Sequence, residues 1–309
     1  ADVSFSENDI VYLTDYADWS YQSHGTRILG QSSNVTVYQT RELSDGRLLS
    51  LHGVFTESVT TGSTLTLSLL DASGSDLSSV SITQSSTDIA HIGRASITVS
   101  TSDEIYVTAQ DETGSVMYLN KYTLSGDSFV QGYEASYTIA EVTSTIQYIE
   151  AVIDEDNDLF VVLQASSGGD GYLYKYNDID QSTPVLDASF NASSGVVQLA
   201  AGSAFENVGD AALSSNGLIL VGADGTGNQA LASVARYALD GTLDSSFASS
   251  GYFADIIADG TTTSSEGTLV YLDANDYIYF VHDYGVESSQ PYLARLTPHG
   301  VLDTQFNPT

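Results

Sequence analysis

The chain has 309 residues, 40 Asp and Glu against 8 Lys and Arg, a net charge of −32 and no cysteine. That charge repels the phosphates of nucleic acids and of anionic lipid surfaces, which leaves cations, basic partners and neutral glycans. Without cysteine there is no disulfide scaffold and no zinc–thiolate centre. No apolar run approaches the roughly 18 residues of a membrane-crossing helix, and 42% apolar residues with 20 Tyr is a folded composition.

In chain order, ADVSF (1–5) leads into the strand-like DIVYLT at 9–14, then into the long segment YADWSYQSHGTRILGQSSN (16–34). Period-2 alternation and turn signals predict strands near 35–42, 47–53, 63–70 and 79–83, then 95–100, 104–109, 115–123 and 135–141. They continue at 147–153, 158–164, 171–176 and 195–200, at 210–214, 218–223, 230–238 and 252–257, and at 267–272, 277–282 and 291–296. No 3.6-period stripe with caps predicts a helix.

Two motifs recur in phase. The first is a corner, LDASF (186–190), LDSSF (243–247) and LDTQF (302–306), whose phenylalanines Phe190, Phe247 and Phe306 are 57 and 59 residues apart. SGDSF (125–129), SDLSSV (75–80) and ADVSF read as weaker copies. The second is a polar turn followed by an apolar run: SDGRLLSL (44–51), SDEIYVTA (102–109), DNDLFVVL (156–163), SNGLILVG (215–222) and ANDYIYFV (274–281). A period near 57 marks an array of supersecondary units. Four strands per unit predict an all-β fold, a five-bladed β-propeller in one domain spanning 1–309. Its blades fall near 35–83, 95–141, 147–200, 210–257 and 267–296, the last completed by 9–14, because radial closure protects sheet edges.

ARYALDGTLDSSF and SNGLILVGA resemble the delta-60 repeat of bacterial, often secreted, proteins, clearly from about residue 150 onward and faintly before it. The resemblance implies a propeller-like fold and a secreted or cell-surface bacterial location. It carries no catalytic residues, and the Gly that follows Phe in the repeat is Asn191, Ala248 or Asn307 here.

Function is therefore sought in departures from the repeat. Asp187, Asp244 and Asp303, repeated at one corner, read as corner hydrogen bonds. DEDND (154–158) alternates like a calcium loop but sits at a turn and lacks that loop's Gly and final Glu. In GADGTGN (222–228), Asp224, Thr226 and Asn228 alternate and form the candidate calcium set, with a Gly-rich hairpin loop as the plainer reading. No organic cofactor is expected. The 16–34 segment carries the chain's one Trp, Trp19, with Asp18, Tyr21 and His24; in a propeller it shares a face with the loop bearing His282, Asp283 and Tyr284. Aromatic faces beside carboxylates suit a neutral sugar, although Trp19 and Tyr21 could equally plug the channel or pack the last blade. The leading expectation is a non-catalytic, extracellular binding or adhesion module for a glycan or protein, assisted by calcium. The alternatives are a filament subunit that self-associates by terminal strand exchange, and a polysaccharide hydrolase or lyase supported only by analogy.

Overall fold

The computed structural model describes residues 35–54, 64–82, 92–111, 116–139, 146–165, 171–177, 179, 184–199, 207–223, 232–254, 265–284 and 292–306. They form antiparallel sheets in strict chain order. The first sheet comprises β1 (Val35–Glu42), β2 (Leu48–Val54), β3 (Thr64–Leu70) and β4 (Asp76–Ile82). The second comprises β5 (Ile92–Val99), β6 (Ile105–Asp111), β7 (Val116–Ser125) and β8 (Ser128–Thr138). In the third, β9 (Ile146–Ile153), β10 (Leu159–Ala165) and β11 (Gly171–Asn177) are followed by β12 (Val185–Leu186) and β13 (Val196–Leu199), which both pair with β11. The fourth has β14 (Asn207–Ser214), β15 (Gly217–Ala223), β16 (Ala232–Tyr237) and β17 (Tyr252–Ala254); the fifth has β18 (Ser265–Leu272), β19 (Ile278–Tyr284) and β20 (Tyr292–Leu296). The architecture is all-β and propeller-like. Among the described residues no helix is long and apolar enough to cross a membrane.

The sheets stack face to face, with their first strands β1, β5, β9, β14 and β18 in succession along one side. The stacking explains the apolar runs. In β15, Leu218 and Leu220 enter the core shared with the third sheet, while Ile219 and Val221 enter the core shared with the fifth. All four are fully buried. A strand covered on both faces favours apolar residues at successive positions, and each such side chain contributes roughly 1.5–3 kcal/mol over leaving it exposed. The outer strand β8 instead alternates half-buried and exposed residues.

Four of the five hairpins between first and second strands share one device. The turns beginning at Leu43, Ser100, Asp154 and Asp273 place Gly46, Asp103, Asn157 and Asp276 at φ of 84°, 60°, 63° and 59°. Gly, Asn and Asp adopt this left-handed conformation most readily. DEDND is thereby a turn: Asp154 Oδ1 accepts the amides of Asp156 and Asp158 at 3.0 and 2.8 Å.

Two of the weaker corner copies are something else. SDLSSV lies almost wholly inside β4, and SGDSF is the tight hairpin joining β7 to β8, with Gly126 at φ 63°. Neither segment has the Leu-Asp pair that opens the full corner. ADVSF and the 9–14 strand lie outside the described residues.

Two of the three full corners, those of Phe190 and Phe247, join neighbouring sheets. Phe190 and Phe247 are buried beneath the turn glycines of the next repeat: a Cβ on Gly241 would lie 2.9 Å from the Phe190 ring, and one on Gly300 would lie 2.8 Å from the Phe247 ring. Both glycines also have positive φ, 89° and 77°. The residue after each Phe donates across the same junction, Asn191 N to Asp240 O and Ala248 N to His299 O, both at 2.8 Å. The DG or HG turn is thus a socket for the preceding repeat's phenylalanine as well as a chain reversal.

Candidate functional site

Each first strand is an edge strand, and its unpaired amides face the neighbouring first strand. The strand registers give one equivalent position in each: Gln39, Ser96, Glu150, Asp210 and Leu269, which pair with Leu51, Thr108, Val162, Val221 and Val281. The polar members reach across. Gln39 Oε1 accepts Ile97 N at 2.8 Å, Ser96 Oγ accepts Ala151 N at 3.1 Å, and Asp210 Oδ2 accepts Val270 N at 2.8 Å. Between the third and fourth sheets Gln164 Oε1 takes over, accepting Val208 N at 3.2 Å.

Glu150 is freed from that task and is the centre of a buried cluster, only 1% exposed. Gln39 Nε2 donates to its Oε2, Arg41 lies 3.1 Å from its Oε1, and the Tyr148 hydroxyl is 3.4 Å from Oε2. Burial pushes its carboxyl up to about 7, with the nearby Asp210 charge adding to the rise and Arg41 opposing it. Burial likewise raises Asp210 above the usual carboxylate range. A near-neutral carboxyl beside a second carboxylate can hold or release a proton at ordinary pH. Through Gln39 and Arg41 on β1, buried Glu150 on β9 ties the first sheet to the third. Sequence reasoning missed this cluster, because one Glu inside QYIEAVI carries no signal until the registers align it with Gln39 and Asp210.

The corner aspartates are consumed locally. Asp244 Oδ1 accepts Ser246 N and Oγ at 2.9 and 2.6 Å, while Oδ2 accepts Arg236 Nε at 2.7 Å. Asp187 bonds Ser189 in the same way, and Asp303 bonds Gln305 N and Arg295 Nε, each at 2.9 Å. These bonds hold all three carboxyls below their ordinary value: the Ser189 and Ser246 side-chain bonds are the largest causes for Asp187 and Asp244, and the Gln305 amide for Asp303. The basic partners also stack on aromatic rings, Arg236 4.9 Å from the Phe247 centroid and Arg295 4.8 Å from that of Phe306. Arg41, Arg47, Lys121, Lys175, Arg236 and Arg295 are all ion-paired. The corner hydrogen-bond reading therefore holds, and these six cations are taken up in ion pairs within and between the sheets.

The predicted ligand and metal residues are not brought together among the described residues. Trp19, Tyr21, His24 and Asp18 lie outside them, as do Asp224, Thr226 and Asn228, which follow the end of β15 at Ala223. His282, Asp283 and Tyr284 form the last turn-distal residues of β19, paired along the backbone with Gly267, Glu266 and Ser265. That strand end and the start of β1 at Val35, paired with Val54, are both the ends away from the first hairpin turns. Among the described residues no group of three or more His, Asp or Glu is placed to hold a metal ion.

A protein-family model described as a domain of unknown function (DUF5122), beta-propeller, matches residues 214–247, the stretch from the β14–β15 hairpin through the corner to Phe247. No curated protein matches the sequence. Among solved structures, similar chains include a hypothetical protein from Leishmania major, at 11% identity and TM-score 0.43, covering 87% of this chain and 88% of that one. Another is MPT-4, a mannose phosphorylase from Leishmania mexicana in complex with phosphate ion, at 12% identity and TM-score 0.42, covering 87% of each chain. A third is prolyl oligopeptidase B from Galerina marginata, at 12% identity and TM-score 0.45, covering 89% of this chain and 36% of that one. Likeness at this level says nothing about activity.

Proposed function

We propose that the chain is a five-bladed propeller closed by residues 9–14 on the outer edge of β20. In this reading it is a non-catalytic binding or adhesion module at the exterior of a bacterial cell, taking a glycan or protein on its turn-distal face. One observation supports the reading: Val35, where the Trp19-bearing segment joins β1, and Tyr284, where β19 ends, lie at the same end of their sheets. At the opposite end, the repeated acidic residues are engaged in corner and turn bonds. Binding residues on a rigid scaffold concentrate in the connections that vary. The group proposed for the ligand is Trp19 and Tyr21 with Asp18, His24, His282, Asp283 and Tyr284, with calcium bound near Asp224, Thr226 and Asn228 as the assisting ion.

Trp19→Ala is expected to remove binding on a glycan array, probed with calcium and again with EDTA, while leaving the melting temperature within a degree or two. Binding that is lost in EDTA alone assigns the calcium role. An unchanged array profile for Trp19→Ala contradicts the glycan reading.

A second reading has its own support. Among the described residues the outer edge of β20 has no partner strand, whereas β3, β7, β11 and β16 each have one. If residues 9–14 of a neighbouring copy take that edge, the chain becomes a filament subunit, and light scattering shows association that grows with concentration.

A further inference from the structure

Three kinds of tie link one sheet to the next. In the first, a polar side chain on one first strand bonds the neighbouring first strand: Gln39 to Ile97 N, Ser96 to Ala151 N and Asp210 to Val270 N. In the second, hairpin meets hairpin. Ser44 N donates to Asp103 Oδ1 at 3.0 Å, and Ser215 N donates to Asp276 Oδ1 at 3.4 Å. The third kind ends on the turn after a third strand. Phe190 and Phe247 lie against the turn glycines Gly241 and Gly300. At the second sheet's Gly126 turn, Arg47 of the first sheet donates to Gly126 O at 2.8 Å, and Ser78 Oγ donates to Asp127 O. Each of these turns receives the sheet before it.

The seam from the fifth sheet back to the first lacks the residue types for two of these ties. Leu269 holds the place of Gln39, Ser96 and Asp210. Ala274 and Gly46 hold the places of the serine and aspartate in the hairpin tie. The third tie has both halves. Leu70, Tyr237 and Leu296 pair with Leu48, Leu218 and Ile278, and Gly74, Gly241 and Gly300 follow them at one interval. The three glycines have φ of 82°, 89° and 77°, a conformation that glycine adopts without strain. Their turns close alike: Gly74 N donates to Asp71 O, Gly241 N to Ala238 O and Gly300 N to Thr297 O, each at 2.9 Å.

The other half is equally matched. Phe306 follows Leu296 at the interval by which Phe247 follows Tyr237. Phe247 stacks on Arg236, and Phe306 stacks on Arg295 and meets the Tyr279 ring edge-on at 5.4 Å. Both phenylalanines are thus seated from below in one way. Phe247 and Gly300 are buried, whereas Phe306 and Gly74 are half-buried.

We propose that Phe306 seats on the Gly74 turn of the same molecule and is the latch between the last sheet and the first. The proposal rests on the closed ring of the proposed function and on none of its ligand reading. Burial of the rest of the ring favours the seat, and a second copy is disfavoured by the charge of −32 on each molecule. Because the seam has no other tie of these kinds, losing the ring opens it locally while the four other junctions keep the fold.

The absence of native cysteine makes cross-linking a direct test. In the full chain, Gln305→Cys with Ser73→Cys is treated with a short bifunctional thiol reagent. The reference is Ser246→Cys with His299→Cys, the same two places at the seated Phe247 corner. The expected result is a link within the monomer, formed at a rate close to the reference. Adding Phe306→Ala slows it about tenfold or more, because the two thiols lose their shared high effective concentration. Gly74→Val, which fills the socket and keeps Phe306, slows it likewise. A third pair, Thr40→Cys with Leu269→Cys, reports on ring closure at the first strands, independently of the latch. A link at 40 and 269 with none at 305 and 73 overturns the latch and leaves the closed ring standing. Absence of both links overturns the two together. A link at 305 and 73 that forms only between molecules, or that is unchanged by both Phe306→Ala and Gly74→Val, also overturns the proposal.

Discussion

Phe247→Ala will destabilise the protein by about 3–5 kcal/mol in equilibrium urea unfolding, the range for deleting a buried aromatic ring from a core that cannot collapse. The ring is fully buried. The Arg236 guanidinium lies 4.9 Å from its centroid, and the Gly300 turn of the next repeat closes over its edge. Removing it empties a socket shared by two sheets, and its Gly300 wall is backbone that hydrogen bonds hold in place, including Ala248 N to His299 O. Phe190→Ala should cost a similar amount, because Phe190 is 2% exposed and sits against Gly241 in the same way. Phe306 is only half-buried and should cost less. A loss below about 1 kcal/mol for Phe247→Ala would show that the corner does not join the sheets.

Stability should fall as pH rises through neutrality, and Glu150 should be the main cause. Its carboxyl titrates at about 7 in the folded chain against 4.5 for the reference group. Between those values the native state holds a proton that the unfolded state has released. This contribution is fully present below the unfolded value and is lost as pH rises through the folded one. At 1.36 kcal/mol per unit, the interval is worth about 3 kcal/mol. The groups facing Glu150 are Arg41 from β1, Tyr148 from its own strand and Asp210 from β14. Glu150→Gln keeps the amide oxygen as an acceptor for Gln39 or Arg41 and cannot ionise. Its melting temperature should therefore change far less than the wild type's between pH 5 and 8, with a residual slope of the same sign from the raised Asp210 carboxyl. Parallel pH profiles for the two proteins would contradict the assignment.

The strands were legible because a sheet covered on both faces imposes continuous apolar runs on its second strands, as in LFVVL and LILVG. The hairpins were legible because a left-handed turn residue selects Gly, Asn or Asp, as at Gly46, Asn157 and Asp276. The corner aspartates were also legible, since a carboxylate two residues before a serine makes a local bond that needs no distant partner. What lay beyond sequence reasoning depends on pairings far apart in the chain. Glu150 meets Gln39 and Arg41 across more than 100 residues, and Gly241 seats Phe190 from the previous repeat. SGDSF misled because its Ser, Asp and Phe also suit a tight hairpin, and β7 continues through it directly into β8.

The central claim is a division of labour, with repeated corners holding the fold and the turn-distal face holding the ligand. It is tested most directly by measuring melting and ligand capture together for Asp244→Ala and Trp19→Ala against the wild type. The expected result is a crossed pattern: Asp244→Ala, which strands Arg236 without its carboxylate, melts several degrees lower and still captures ligand below its melting point, while Trp19→Ala melts normally and captures none. Full ligand capture by Trp19→Ala, or loss of capture by a still-folded Asp244→Ala, would contradict it.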